Sequence, residues 1–360
     1  MVGGNIAKLR LKNQLISGSA SSNPEEVVAW MGAMQAQDYG MAKWGIGVRL
    51  QGGTDAGIEA AIDEGKILRT HVLRPTWHLV AAEDLRWMME LTGPRLRGTL
   101  NANNKRMELT EAVFGKCNKI IAKALGERHM TRKELMAVLQ QNKIDTDDLR
   151  SSHIMFRAEI DGVVCSGARV GRENSYALFD ERAPVSKKKD RSEAVGELFR
   201  RYITSHGPAT LHDFVWWSGL TLGDARMGLE MNKAKLESII SEGKTWWFTG
   251  GGMPTGLEKK TAHLLPAFDE YMVSYKDRSA SLHDDHFSKA ISSNGIFKPI
   301  IVVDGKVVGI WRRSVAKGKA VVVPEYFEGV VVPSGAAVKK ALGDYRRFLG
   351  MEVFWEDMII

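Results

Sequence analysis

The sequence has little of several features that would assign its class at once. Only two cysteines, Cys117 and Cys165, occur in 360 residues, so neither a disulfide framework nor a cysteine-rich zinc site is indicated. No apolar run approaches the roughly 18 residues of a membrane-spanning helix. The N-terminal stretch lacks the apolar core and cleavage site of a signal peptide. We therefore expect a cytoplasmic protein that does not enter a membrane.

No strong excess of one charge is present either. The 50 Lys and Arg residues exceed the 43 Asp and Glu residues by a net +7. A mildly basic chain is compatible with a polyanionic partner but does not require one. With 44% hydrophobic and 26% charged residues, the composition is that of a globular protein large enough for several domains.

A pattern of helices followed by a short hairpin opens the chain. Asn23 and Pro24 are typical of a helix start, and the apolar periodicity that follows continues to Met34. The stretch "KILRTHVLRPTWHLV" then predicts two strands, 68–72 and 76–80. Helices followed by a two-stranded hairpin are the outline of a winged helix.

The same order of elements recurs twice. Helices that include a capping box at Thr131 and Glu134 and a helix over 146–160 precede a second hairpin around Gly171. A helix-turn-helix, "ATLHDFVWWSGLTLGDARMGLE", then precedes further strand-like sequence. The last hundred residues are mainly β, with a hairpin turning at Asp304-Gly305 and a closing helix, "SGAAVKKALGDYRRFLG".

These segments resemble the AlkZ-type winged-helix DNA glycosylases of bacteria. The stretches that match are "MQAQDYG", "RPTWHLV", "HLLPAFDEYMVSYKDR" and "NGIFKPIIVVDGKVVGIWRR", in that order. The resemblance implies an α+β fold of three tandem winged-helix modules with a C-terminal β-barrel-like module. The corresponding bounds are 1–95 for the first winged helix, 96–188 and 189–258 for the next two, and 259–360 for the barrel module.

The resemblance also implies a catalytic motif in the first module. Gln35 and Gln37, separated by Ala36, match the family's Gln-x-Gln form. That form is associated with bulky alkyl adducts and interstrand crosslinks, whereas a Gln-x-Asp form accepts simpler alkylated bases. Asp38 lies one position beyond the motif and is therefore not the carboxylate of the second form.

Two amides suit a reaction that needs no proton transfer to the leaving group. A purine alkylated at N3 or N7 is already cationic and leaves as a neutral molecule. The enzyme then has only to place a water and stabilise a cationic sugar with dipoles. We expect Gln37 to orient the water and Gln35 to position Gln37 or the sugar-phosphate. Absence of a lysine from the motif predicts a monofunctional glycosylase, without a cofactor.

Helical geometry conflicts with this role. Residues two apart on an α-helix point about 200° apart, so two amides on a helix would not converge. The backbone must therefore leave helical geometry near Gln35–Asp38. From residue types alone, a solvated helix end remains the alternative.

The two hairpins supply candidates for DNA binding. In the first hairpin they are Arg69, His71, Arg74, Trp77 and His78. Arg74 is expected to contact phosphate, and Trp77 or a histidine to approach the opened duplex. The alternative is that Trp77 and His78 pack in the core and Arg74 is a solvated turn residue.

Further basic candidates follow in the second hairpin and the segment after it. Arg169 and Arg172 flank Gly171, and Lys187 and Lys188 belong to the run "VSKKKDR". They are phosphate contacts in one interpretation, and a charged hairpin tip and a solvated linker in the other.

The segment from His263 to Arg278 has two readings of its own. Buried Asp–Arg and Tyr hydrogen bonds are expected to fix the barrel module against the first module. A lining role in the lesion pocket is the alternative. "HDDH" at 283–286 has no further ligands at suitable spacing, so an acidic loop is favoured over a metal site.

The function expected from the sequence is a monomeric glycosylase acting on double-stranded DNA in the nucleoid. Its predicted substrates are cationic N3- or N7-alkylated purines, with bulky adducts and interstrand crosslinks among the candidates. A winged-helix DNA-binding protein without catalysis, such as a regulator or a damage binder, is the alternative. A regulator would typically dimerise and read two half-sites.

Overall fold

The computed structural model describes residues 2–18, 21–250 and 261–356. The chain packs as two compact units, one of residues 1–59 with 195–360 and one of residues 60–194. The predicted start of the barrel module, at 258–259, lies outside the described residues. Since one compact unit can contain more than one winged helix, the division into four modules remains a prediction.

The discontinuous unit contains the larger sheet. Its helices are Val2–Asn13, Pro24–Met31, Tyr39–Gly47, Leu211–Ser218, Leu222–Asn232, Glu270–Val273, Phe287–Ala290 and Gly335–Leu349. Its strands are Met34–Gln35, Leu236–Ser241, Lys244–Thr249, Ala262–Leu265, Ile300–Val303, Lys306–Ala316, Lys319–Tyr326 and Glu352–Trp355. Two helices, Asp55–Asp63 and Arg191–His206, contain the boundaries between the units.

Five strands of this unit form a curled half-barrel sheet. Neighbouring strands are antiparallel, except that Lys319–Tyr326 and Glu352–Trp355 run parallel. Asp304 and Gly305 both adopt positive φ, 49° and 83°, as a two-residue hairpin turn requires. The predicted hairpin is therefore confirmed.

The closing helix Gly335–Leu349 covers this sheet with one face. Its buried residues are Ala337, Ala341, Tyr345 and Phe348, which recur at helical spacing on one side. Ser334 caps its start by accepting a hydrogen bond from the Ala337 N–H. The mainly β character predicted for the last hundred residues is confirmed.

The second unit is built of helices and two small hairpins. Its helices are Ala82–Gly98, Asn101–Arg106, Glu111–Leu125, Arg132–Gln141, Arg150–Ile160 and Phe179–Arg182. Its strands are Ile67–His71, Trp77–Ala81, Met130–Thr131, Val164–Ser166 and Ser175–Leu178. Both predicted hairpins are confirmed as antiparallel pairs, and so is the capping box of Thr131 and Glu134.

Two helix bounds were predicted wrongly, for the same physical reason. The helix expected to continue to Met34 ends at Met31, because Gly32 turns the backbone to φ 78°. The helix expected from Thr146 begins at Arg150, after Asp148 at φ 50°. Residues in the left-handed region end or delay a helix even where apolar periodicity continues.

No helix among the described residues is long and apolar enough to cross a membrane.

Candidate active site and DNA-binding residues

The Gln-x-Gln segment lies on non-helical backbone between two helices. Gln35 belongs to the short strand Met34–Gln35 and is half-buried, Ala36 is buried, and Gln37 is exposed in a bend. Asp38 is also extended, at φ −99° and ψ 109°. Because the segment is not helical, the separation of about 200° between residues two apart on an α-helix does not apply to Gln35 and Gln37. The expectation that the backbone leaves helical geometry here is confirmed.

Asp38 begins the next helix instead of extending the motif. Its Oδ1 accepts a hydrogen bond from the Met41 N–H at 3.0 Å, which makes it the N-cap of Tyr39–Gly47. A carboxylate at this position satisfies an otherwise unpaired N–H group and faces the positive end of the helix dipole.

A buried carboxylate holds the strand that carries Gln35. The Gln35 backbone N–H donates to Glu270 Oε1 at 2.6 Å, and the Glu270 side chain is 1% exposed. Ser274 Oγ donates to Glu270 Oε2, and His206 Nε2 lies 3.7 Å from the same oxygen. Burial lowers the pKa of His206.

Ionic contacts fix the helix that follows the motif. Lys43 is 4% exposed, and its Nζ donates to Asp55 at 2.9 Å and to Glu59 at 2.6 Å. The Tyr39 hydroxyl also donates to Glu59, at 2.6 Å. A buried ammonium is tolerated only when it is paired in this way, so these contacts restrict where the helix start can lie.

The same helix packs against the half-barrel and its closing helix. Trp44 Nε1 donates to the Leu264 carbonyl at 2.7 Å. The centroid of the Trp44 ring lies 4.9 Å from that of Tyr345 and 5.0 Å from that of Phe348. The motif is thus anchored to the C-terminal part of the chain by packing as well as by hydrogen bonds.

The buried Asp–Arg and Tyr bonds expected from "FDEYMVSYKDR" are confirmed. Both carboxylate oxygens of Asp269 accept from Arg49 at 2.8 Å, and the Arg49 side chain is 0% exposed. Arg49 also donates to Gln14 at 2.9 Å. Tyr275 accepts from Gln14 at 2.9 Å and donates to the His206 carbonyl at 2.6 Å.

Arg313 is a basic residue near the motif that the sequence analysis missed. Its Nη2 atom lies 3.3 Å from where a Cβ on Gly40 would stand, in the first turn of the helix capped by Asp38. Its Nη1 atom donates to the Tyr345 hydroxyl. No local pattern singles it out, since it is one of two adjacent arginines in "GIWRR" and the contact depends on tertiary packing.

In the second unit, three of the five candidates of the first hairpin come together. The Arg69 guanidinium lies 4.2 Å from the centre of the Trp77 ring, within the range of a cation–π contact. The centroid of the His71 ring lies 4.8 Å from the centroid of the Trp77 ring. The structure therefore joins Arg69, His71 and Trp77 in one basic and aromatic group.

Glu159 organises this group, and the sequence analysis missed it too. It is 1% exposed and accepts from the His71 N–H at 2.9 Å and contacts His71 Nδ1 at 2.8 Å. Burial raises its pKa, but the charges of His71 and Arg69 and the bonds from His71 hold the pKa below its usual value. An ionised Glu159 orients His71 by its Nδ1 atom and leaves Nε2 for another contact.

The remaining two candidates of the hairpin are placed differently. His78 is 0% exposed, and its Nδ1 lies 2.9 Å from the Thr76 carbonyl oxygen. Its burial fits the core-packing alternative and not a direct DNA contact. Arg74 is half-buried in the loop between the strands.

In the second hairpin, the two arginines are not equivalent. Arg169 is half-buried, with its N–H donating to Asp63 at 2.8 Å and its guanidinium to the Arg172 carbonyl. It therefore shapes the turn at Gly171, where φ is 63°. Arg172 is exposed, and Lys187 and Lys188 are exposed in a segment without helix or strand.

The chain is 24% identical over 334 residues to an interstrand DNA cross-link repair glycosylase of Streptomyces sahachiroi, covering 84% of this chain and 85% of that protein. The solved structure of Streptomyces sahachiroi DNA glycosylase AlkZ matches with a TM-score of 0.81 at 20% identity, covering 99% of both chains. That likeness shows a shared mixed α+β fold. A sequence profile described as DNA glycosylase AlkZ-like matches residues 28–348, and the chain therefore belongs to the AlkZ-like DNA glycosylase family.

Proposed function

We propose that the protein is a monofunctional DNA glycosylase that hydrolyses the N-glycosidic bond of cationic N3- or N7-alkylated purines. The observation that carries the proposal is that Gln35–Gln37 lies outside the flanking helices, with Gln37 exposed. Because the separation of about 200° between residues two apart on an α-helix does not apply to this segment, both amides can act on one nucleotide. Membership of the AlkZ-like family supports the class of reaction.

The reaction needs only groups that such a site offers. When the bond between C1′ and the base nitrogen breaks, the alkylated purine takes the bonding electrons and leaves neutral. The oxygen of a water forms the new bond to C1′ and releases a proton to solvent. Gln37 orients that water through its amide oxygen, and Gln35 positions Gln37 or the sugar-phosphate. Fixed dipoles stabilise the transient positive charge on the sugar.

The motif and a relative together favour bulky substrates. The chain has glutamine at both motif positions, and its carboxylate neighbour Asp38 is engaged as a helix cap. The curated relative described above is named for interstrand cross-link repair. We therefore include bulky adducts and interstrand crosslinks among the substrates of this protein.

Two sets of basic residues would serve to hold the duplex. Arg313 stands beside the helix start that follows Gln37, where its guanidinium would contact a phosphate. In the other unit, Arg69, His71 and Trp77 form the organised group, and Arg74, Arg172, Lys187 and Lys188 are further phosphate contacts. Such contacts contribute affinity that does not depend on sequence.

Base release from defined lesions tests the proposal. The intact protein is incubated with duplex DNA carrying N7-methylguanine or, separately, a nitrogen-mustard crosslink, and released base and abasic sites are measured. We expect Gln37→Ala to lower the single-turnover rate by about 10²–10³-fold, as for removal of a preorganised polar group, with little change in DNA affinity.

Gln51→Ala is the matched control, because Gln51 is an exposed glutamine outside the motif, and it should keep the wild-type rate. Full base release by Gln37→Ala would refute the assigned motif. Tight DNA binding without release from either substrate would favour the non-catalytic alternative.

A further inference from the structure

We propose that Glu270 is the positioning residue of this site, whose buried carboxylate fixes the backbone of Gln35 and thereby the direction of both motif amides. The inference rests on the proposed function for its catalytic consequence. Its structural part, the restraint on the segment that contains the motif, can be tested independently of activity.

The hydrogen bond from the Gln35 backbone N–H to Glu270 has the geometry of a strong restraint. Glu270 Oε1 lies 2.6 Å from the Gln35 nitrogen, across 235 positions of sequence. A separation of 2.6 Å is at the short end of the range for an N–H···O hydrogen bond. With Glu270 1% exposed, water does not compete for the carboxylate, so the bond holds the strand in one place.

The backbone that carries Glu270 is itself fixed. Asp269 caps the short helix Glu270–Val273 by accepting from the Tyr271 N–H at 2.8 Å. The same carboxylate is held by Arg49 through two bonds of 2.8 Å. The chain of contacts therefore runs from Arg49 through Asp269 and Glu270 to the Gln35 backbone.

Asp213, Asp269 and Glu270 are buried carboxylates with different surroundings. Asp269 pairs with Arg49, and Asp213 completes a capping box with Thr210 and lies 3.9 Å from Arg10. Glu270 instead faces His206, whose pKa burial lowers. A glutamine would accept the same bond at a smaller desolvation cost.

The experiment compares Glu270→Ala and Glu270→Gln in the full-length protein. Alanine removes the acceptor, and we expect kcat for lesion removal to fall at least tenfold while KM stays within twofold. Glutamine keeps an acceptor of the same shape and should recover most of that loss. A merely structural role would not produce this separation of kcat from KM with rescue by the conservative variant.

Hydrogen–deuterium exchange supplies a readout that does not depend on activity. We expect peptides covering 33–38 to exchange at least tenfold faster in Glu270→Ala than in the wild type. Asp213→Asn is the matched control for general destabilisation, because it alters another buried carboxylate of the same unit and should leave the relative exchange of 33–38 unchanged.

The outcomes separate the two proposals. If the wild-type protein releases no base, the proposed function fails, and the exchange comparison still decides whether Glu270 restrains the motif. If Glu270→Ala keeps wild-type kcat and wild-type exchange at 33–38, the positioning role is refuted. Failure of Glu270→Gln to recover activity and protection would refute the hydrogen bond as the means of positioning.

Discussion

Two carboxylates near the motif accept hydrogen bonds from backbone N–H groups, one of them buried and one exposed. Gln37 is exposed, while Glu270 accepts from the backbone N–H of Gln35 and Asp38 accepts from that of Met41 in the next helix. Under the proposed function, these two carboxylates would restrict the orientation of the amides without entering the reaction. Two acids beside a glycosylase motif need not be proton donors.

Asp38 provides a residue-level test of this role. Asp38→Ala should lower the free energy of unfolding by about 1 kcal/mol through loss of the N-cap and should slow base release. Asp38→Ser keeps a capping oxygen without a carboxylate, so it should restore both stability and rate. Urea unfolding and single-turnover base release measure the two effects. If the serine variant were as inactive as the alanine variant, Asp38 would have a chemical role.

At the level of elements, the helix Tyr39–Gly47 transmits the position of the C-terminal half-barrel to the motif. Trp44 contacts both Tyr345 and Phe348 of the closing helix. The approach is close at Gly47, where an added Cβ would lie 2.6 Å from a Phe348 ring atom. The absence of a side chain at Gly47 therefore permits this helix packing.

Gly47→Ala should consequently destabilise the protein, although alanine favours helices. Overpacking of this kind costs about 1–3 kcal/mol, which exceeds the roughly 1 kcal/mol that alanine gains over glycine in a helix. Gly343→Ala is the control, because no atom lies within 4 Å of its added Cβ, and it should stabilise. Thermal unfolding of both variants measures the two effects. A Gly47→Ala variant that is more stable than the wild type would contradict the prediction and show that the Phe348 ring can move to make room for the added methyl group.

Elements specified by nearby residues were predicted well, and those that depend on distant packing were not. The turn at Asp304-Gly305 and the capping box at Thr131 and Glu134 each involve residues within a few positions of one another. The helix Ala82–Gly98 was missed, since Pro94 and two glycines obscure its pattern. The early end of Pro24–Met31 was missed because buried apolar residues continue beyond it as extended chain.

For the whole molecule, the excess of positive charge is small, at +7, so affinity for DNA should depend on where the charges lie. Lys187 and Lys188 are exposed and belong to a segment without regular structure. In the proposed function they neutralise phosphates without reading bases. Their loss should therefore weaken binding to damaged and undamaged duplexes alike.

The double variant Lys187→Ala/Lys188→Ala tests this at the scale of the complex. The slope of log affinity against log salt should decrease in magnitude by about 2, one for each lost phosphate contact. Fluorescence anisotropy over a range of salt concentrations, with lesion and normal duplexes, measures the slope. An unchanged slope would assign the two lysines to a solvated linker.

The sequence by itself determined the spacing of the two glutamines, the family and most of the hairpins, because each rests on residues close together in the chain. Tertiary structure alone decided what holds the candidate site. Glu270 reaches Gln35 across 235 positions, and Arg49 reaches Asp269 across 220. Glu159 reaches His71 across 88. Local periodicity carries no information about which distant groups meet, since burial and hydrogen-bond satisfaction are settled only when the whole core packs.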